Sequence, residues 1–306
     1  MGMYYLVKTN RYLSKLIKPF RFLVHALKFN AFTDKQYIQK TFERLQGYSP
    51  NLITPRTFSE KIQWFKLHVR NRQYSELTDK IQVRAYVTSK IGEHYLIPLY
   101  FTTARPQDIT IASLPATNFV IKTNHASGKV FIFKHRDEVN FKQLHKDLLL
   151  LMQFNFYHAH REHHYKNIRP QIMVEQFIQT EQGEVPNDYK FHCFDGCVHA
   201  IQVDTQRFTN HCRIFYDTEW NKLPIALRFP LASSLPRPKM LSKMLELVAT
   251  LAADFVYVRV DLYATDDAIY FGELTFTPGA GFEKFSPLQI DEEWGKLYQL
   301  NIYPGV

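Results

Sequence analysis

Asp261 and Glu273 are the residues of this chain whose type and placement could most directly do chemistry. Both lie in β-rich, apolar stretches within residues 258–275, with the turn-like Thr265-Asp266-Asp267 between them. Strand side chains alternate faces, so a hairpin here can aim both carboxylates at one point. Two converging carboxylates in apolar surroundings suit a Mg²⁺ ion, which takes one or two carboxylates plus phosphate oxygens. Read alone, the pattern is equally an ordinary hairpin with two satisfied acids.

Two lysines supply charge of the opposite sign. Lys80 opens a helix, and Lys122 ends an apolar strand just before the small-residue turn Thr123-Asn124-His125-Ala126-Ser127-Gly128. A Lys in such a place meets polyphosphate as a point charge, while the N–H groups of the turn can cover the phosphates. The spacing of a P-loop is absent. Each Lys taken singly reads as a solvated side chain, so the signal lies in the order of the whole set.

The elements that must position these groups alternate between helices and hairpins without a regular βαβ rhythm, which predicts an α+β fold. Thr57 and Glu60 stand in capping-box spacing before a helix. Thr78 is expected to cap a second helix from Asp79 to about Lys90, stopped by Gly92. Leu96–Tyr100 reads as extended. Strands are expected at Asn118–Lys122, Lys129–Lys134 and Gln171–Val174, with helices at 141–157 and about 238–254. Tyr189–Phe194 and Cys197–Val203 flank an Asp195-Gly196 turn and read as a hairpin.

Composition narrows the function classes. With 306 residues, 45% hydrophobic and 15% aromatic, the chain is globular and not disordered. Three cysteines, Cys193, Cys197 and Cys212, form no disulfide framework and no zinc pattern, and they suit a reducing cytoplasm. Residues 1–33 hold six Lys/Arg and no acid, so of the net charge of +9 an excess of only three is left for the rest, too little for a nucleic-acid-binding domain. On a helix, Lys8, Arg11, Lys15 and Lys18 would oppose Leu6, Leu13, Leu16, Ile17 and Phe20, a pattern that fits the surface of an anionic membrane. A basic helix packed on the protein's own body fits equally. The segment is too short in apolar residues to span and unlike a signal peptide. The dense run His158, His160, His163, His164 reads as a polar helix end and is given no role.

In chain order, Lys80, Lys122, the 123–128 turn, Glu175-Gln176-Phe177-Ile178, Asp261 and Glu273 resemble the ATP-grasp superfamily. The likeness is closer still to its TupA-like branch, associated with cell-surface polysaccharide synthesis. The matching blocks are Thr-Phe-Ser-Glu-Lys-Ile-Gln-Trp at 57–64, Leu-Thr-Asp-Lys-Ile-Gln-Val-Arg at 77–84 and Phe-Val-Ile-Lys-Thr-Asn-His-Ala-Ser-Gly at 119–128. Asp-Tyr-Lys-Phe at 188–191 and Gly-Glu-Leu-Thr-Phe-Thr-Pro at 272–278 complete them.

The resemblance implies an α+β ATP-grasp fold, two subdomains clasping ATP, with a reduced N-terminal region. It divides the chain into a basic segment 1–50, a region 51–115 before the grasp, a small subdomain 116–178 and a large subdomain 179–306 with the metal site. It makes Lys80 and Lys122 phosphate-binding lysines, and Asn124, His125, Ser127 and Gly128 the loop over the phosphates. Glu175, Gln176, Phe177 and Ile178 become the adenine hinge, Lys190 lies near the triphosphate, and Arg259 holds an anionic acceptor or the transferred phosphate. Asp261 and Glu273 become Mg²⁺ ligands, and Thr275 stands where many relatives have a metal-binding Asn. The implied activity is ATP-dependent joining of a carboxylate to an amine, with ATP and Mg²⁺ as cofactors and with glycan-linked substrates. The implied location is the cytoplasm, at the inner membrane surface through residues 1–33. Two competitors are a glycosyltransferase, although no Asp-x-Asp occurs, and a non-catalytic nucleotide-binding protein of the membrane surface.

Overall fold

The strands pair into a four-stranded and a five-stranded antiparallel sheet, with a short two-stranded pairing beside them. The computed structural model describes residues 32–126, 130–181, 183–206 and 210–300. The basic segment up to residue 31 and the loop residues Ser127 and Gly128 therefore lie outside the described residues. Among those described, no helix is long and apolar enough to cross a membrane.

The smaller sheet has the order β1-β4-β2-β3, from β1 (Leu99–Thr103), β2 (Thr117–Thr123), β3 (Val130–His135) and β4 (Ile172–Gln176). Helix α5 (Phe141–Met152) closes one face, and Leu144 and Leu148 join Phe119, Ile121, Phe133 and Val174 in a separate core. The five-stranded sheet has the order β10-β9-β5-β6-β7. It is built from β5 (Asp188–Phe194), β6 (Cys197–Thr205), β7 (Cys212–Tyr216), β9 (Tyr257–Ala264) and β10 (Ile269–Thr275), and a short β8 (Ala226–Leu227) pairs with β11 (Phe285–Ser286). The β5–β6 hairpin turns at Asp195 and Gly196, both at positive φ (47° and 77°), which is what a tight two-residue turn requires. One face of the sheet is apolar, with Phe191, Ile201, Val203, Val260 and Leu262, and shares its core with the inward residues of α7 (Leu241–Ala252). The other carries Asp188, Lys190, His192, Gln202, Asp204, Arg259 and Asp261.

Helices preceding the sheets frame this arrangement. Helix α1 (Asp34–Gln46) starts at a Thr33/Gln36 capping box and buries Ile38 and Phe42 against Ala280 and Phe282. Helix α2 (Phe58–His68) begins at the expected Thr57/Glu60 capping box. It is stitched to α8 (Gln289–Leu297): Asp291 accepts from Ser59 N at 2.8 Å and Ser59 Oγ at 2.9 Å, and Lys61 Nζ donates to Gly295 O at 2.7 Å. Gly295 is required there, since a Cβ would stand 2.0 Å from Arg56 O.

Several boundaries differ from the sequence expectation. The helix expected from Asp79 is two, α3 (Arg72–Thr78) and α4 (Val83–Ile91). Thr78 ends α3 and does not cap a helix; α4 starts after Gln82 with no side-chain cap, and Asp79 instead holds the turn between the two helices by accepting from Ile81 N at 2.9 Å. The 141–157 helix stops at Met152, and Tyr157–His160 forms a separate short turn, α6, whose amide at Tyr157 is taken by Asn155 Oδ1 at 3.0 Å. The histidine run is split between α6 and a 3₁₀ turn, with His164 buried and bonded to Thr277 Oγ1 at 3.3 Å.

Trp294 of α8 is 1% exposed and meets the rings of Phe58, His192, Phe194 and Phe285 at centroid distances of 4.7 to 5.9 Å. Trp294→Ala is expected to lower unfolding free energy by about 3–5 kcal/mol. Ile53→Ala, at a site 81% exposed, should change it by less than about 0.5 kcal/mol; urea denaturation of both variants checks the contrast.

Candidate active site

Strand β9 places Arg259 and Asp261 two residues apart on one face. Its neighbour β10 sets Glu273 opposite Asp261 and Thr275 opposite Arg259, and β5 sets Lys190 opposite Asp261. The β9–β10 register skips one residue between Phe271 and Glu273. Gly272 is the extra residue, and a Cβ on it would stand 3.0 Å from Asp261 O and 3.2 Å from the Tyr263 ring. Such a bulge re-aims the following side chain, here Glu273.

The result is a connected charge network. Arg259 grips Asp261 in a fork, Nε to Oδ1 at 2.6 Å and Nη2 to Oδ2 at 2.7 Å. The same Nη2 donates to Glu273 Oε1 at 3.2 Å and Thr275 Oγ1 at 3.1 Å. Lys190 Nζ lies 2.8 Å from Asp261 Oδ2 and also bonds Asp188. Lys80, on the turn between α3 and α4, reaches Glu273 Oε2 at 3.6 Å. On the small sheet Lys122 pairs with Glu175.

Burial pushes the Asp261 carboxyl above its ordinary value, against the opposing pull of Arg259 and Lys190. Burial would likewise raise Glu273, but Lys80, Arg259 and Lys190 outweigh it and bring it down to about 2. Burial also opposes the Arg259 charge, and Asp261 and Glu273 more than reverse that, so the guanidinium holds its proton more tightly than a free one.

Lys80, Lys122 and Glu175 line a narrow cleft between the sheets together with Arg84, Met173 and Phe271, of volume ≈ 20 Å³. Ligand pockets run to about 300–1,000 Å³, so the narrow cleft alone is too small for a nucleotide; a wider opening of ≈ 610 Å³ shares Arg84 and Leu96 with it. Gln176 and Phe177 donate their amides to Pro98 O and Asn118 O, both at 2.9 Å, and Ile178 follows beyond these pairings. The Asn124 side chain holds Gln171 N at 2.7 Å and Arg169 O at 3.1 Å, and His125 bonds carbonyls of the 151–154 segment. Both anchor the loop with their side chains.

Asp188, Arg84 and Gly272 had no role in the sequence reading. Asp188 precedes Lys190 by two on a strand, a spacing that shares a face, and on the single helix expected from Asp79 Arg84 would follow Lys80 by four. The need for glycine at 272 is visible only once the register is known.

A family model, TupA-like ATP-grasp, matches residues 60–299. The chain belongs to the TupA-like ATP-grasp family. Its α+β architecture of two antiparallel sheets with helices is the ATP-grasp fold. No curated protein matches it. Among solved structures it is similar to a D-alanine–D-alanine ligase from Bacillus anthracis complexed with ATP, at 16% identity over 65% of this chain and 53% of that one, TM-score 0.36. An L-amino acid ligase from Bacillus licheniformis matches at 14% identity over 73% of this chain and 49% of that one, TM-score 0.43. The ATP-grasp ligase PsnB, complexed with a phosphomimetic variant of its minimal precursor, Mg and ADP, matches at 11% over 71% and 57%, TM-score 0.37. The chain thus spans about half the length of these solved relatives.

The donor set fits Mg²⁺. Asp261, Glu273 and Thr275 offer hard oxygen ligands on adjacent strands, Thr275 Oγ1 being 3.1 Å from Glu273 Oε1. Because Lys80, Lys190 and Arg259 already neutralise these carboxylates, either ligand alone meets an opposing partner. Calorimetry is therefore expected to show Mg²⁺ and ATP each strengthening the other's binding by at least about tenfold, and by the same factor in both directions. The depressed Glu273 value keeps its carboxylate charged throughout the neutral range. The stability from its pairing is present above the ordinary carboxylate range and lost as pH falls toward about 2.

Proposed function

We propose that the protein is an ATP-dependent carboxylate–amine ligase of cell-envelope polysaccharide synthesis. The observation that carries this is the Asp261–Arg259–Glu273–Lys190 network facing Lys80 in a chain of the ATP-grasp family. In this reading a substrate carboxylate oxygen attacks the γ-phosphorus of ATP, and the bond to the ADP oxygen breaks. The resulting acyl phosphate is opened by an amine nitrogen, which loses a proton as the C–O bond to phosphate breaks. The products are an amide, ADP and phosphate.

Lys80 and Lys122 bind the phosphates, and the backbone of the 124–128 loop covers them. Glu175 to Ile178 read the adenine, and Arg84 adds a cation beside it. Asp261, Glu273 and Thr275 hold Mg²⁺, which when bound supplies charge to the polyphosphate. Arg259 and Lys190 steady the charge that develops on the transferred group, so positioning and electrostatics suffice. The carboxyl belongs to a uronic acid of a glycan or its lipid-linked precursor, and the amine to an amino acid or amino compound. Residues 1–33 hold the protein on an anionic, cytoplasmic membrane face.

Glu273→Gln is expected to reduce ATP turnover at least about 100-fold with melting temperature retained, and Asp261→Asn to reduce it as much with melting temperature lowered, since a lost metal carboxylate is worth several kcal/mol and the loss of Asp261 also strands Arg259 and Lys190 in the sheet. The assay is ADP and phosphate release with candidate uronic acid–amine pairs; near wild-type turnover in both variants, or AMP and pyrophosphate as products, sinks the reading. Full-length protein should co-sediment with anionic and not neutral liposomes at low salt, and a chain starting at Phe32 should lose that binding.

A further inference from the structure

His125 lies two residues beyond the end of β2 and is 2% exposed. Its Nε2 meets Phe154 O at 3.1 Å and Leu151 O at 3.3 Å, in the last turn of α5 and just past it. Carbonyl oxygens only accept, so Nε2 carries the proton. The other ring nitrogen, Nδ1, is buried with no hydrogen-bond partner among the described residues. Burial, with Lys80 adding to it, lowers the ring's pKa and agrees with a neutral imidazole. Carbonyls at a helix C-terminus lack the usual intrahelical donors; Leu151 O accepts from Phe154 N, and His125 adds a donor from a loop distant in sequence.

The peptide units flanking this ring hold Lys80. Asn124 O accepts the Lys80 backbone N–H at 3.3 Å, and Ala126 O accepts Lys80 Nζ at 3.0 Å. The tripeptide Asn124–Ala126 is thus fastened to α5 by its central side chain and to Lys80 by its outer carbonyls. Lys80 itself belongs to the turn between α3 and α4, outside the small sheet.

We propose that His125 is a positioning residue for triphosphate binding, acting through Lys80: its tether to α5 sets the two carbonyls that fix the lysine's main chain and ammonium. This rests on the reading of Lys80 as a phosphate ligand. Lysine is a point charge on a flexible four-carbon stem, so without the tether it keeps its charge and loses its location. A Gln amide can reach the Nε2 position and donate to the same carbonyls, whereas Asn is too short and Phe has no donor.

The test is MgATP affinity by calorimetry on the full-length protein. His125→Phe and His125→Asn are expected to weaken binding about tenfold, the effect of losing one well-placed hydrogen bond, while His125→Gln stays within about threefold of wild type. In a Lys80→Ala background, adding His125→Phe is expected to change nothing further, because its effect passes through the lysine. Equal losses in all three His125 variants, or additive losses in the double variant, overturn the proposal. If Lys80→Ala alone leaves affinity unchanged, the reading of Lys80 as a phosphate ligand fails first and takes this one with it.

Discussion

A carboxylate 2% exposed in the middle of a five-stranded sheet is tenable only when cations accompany it. Asp261 has two, a guanidinium that grips both its oxygens and the ammonium of Lys190 from the next strand. That triple contact dictates much else. Arg259 must share the face of Asp261, so β9 must be extended through both. Lys190 must lie opposite, so β5 must be the neighbour of β9. Glu273 must approach the same guanidinium, so β10 must bulge at Gly272. The apolar residues between these positions all turn the other way, toward the core shared with α7.

Four cations along the cleft have acids as partners: Lys80 with Glu273, Lys122 with Glu175, Lys190 with Asp188 and Asp261, Arg259 with Asp261 and Glu273, while Arg84 donates to the Ile97 carbonyl. Removing one partner from such a buried set is expensive, but exchanging partners is not. In the proposed reading phosphate oxygens take over the cations while a divalent ion takes over the carboxylates, so neither kind of charge is stranded. The pairs that close the cleft are in this sense the same groups that a nucleotide would use to hold it open.

Residues whose role follows from local pattern were legible in the sequence. The Thr57/Glu60 cap, the Asp195-Gly196 hairpin and the runs around Asp261 and Glu273 depend on neighbours a few positions away. The separation of α3 from α4 was not, because the turn that divides them is held by a contact distant in sequence, Lys80 N to Asn124 O. Strands β7, β8 and β11 escaped notice because their partners are set by sheet order. Asn124 and His125 were read as loop residues facing a ligand. Their side chains tie that loop to segments 26 to 47 residues further along the chain, contacts that no local periodicity reports.

The seam between α2 and α8 also bears on how the chain is made. Ser59 and Asp291 are 232 residues apart, whereas the small sheet and its helix lie within residues 99–176. At about 5–20 residues per second of synthesis, roughly 12–46 s separate the emergence of α2 from that of its partner. During that interval the small subdomain can already fold, while Phe58, Ile62 and Phe65 remain without their final neighbours. Ile38 and Phe42 of α1 wait as long for Ala280 and Phe282, so the apolar faces of both helices stay open to self-association or to a folding chaperone until the last part of the chain emerges.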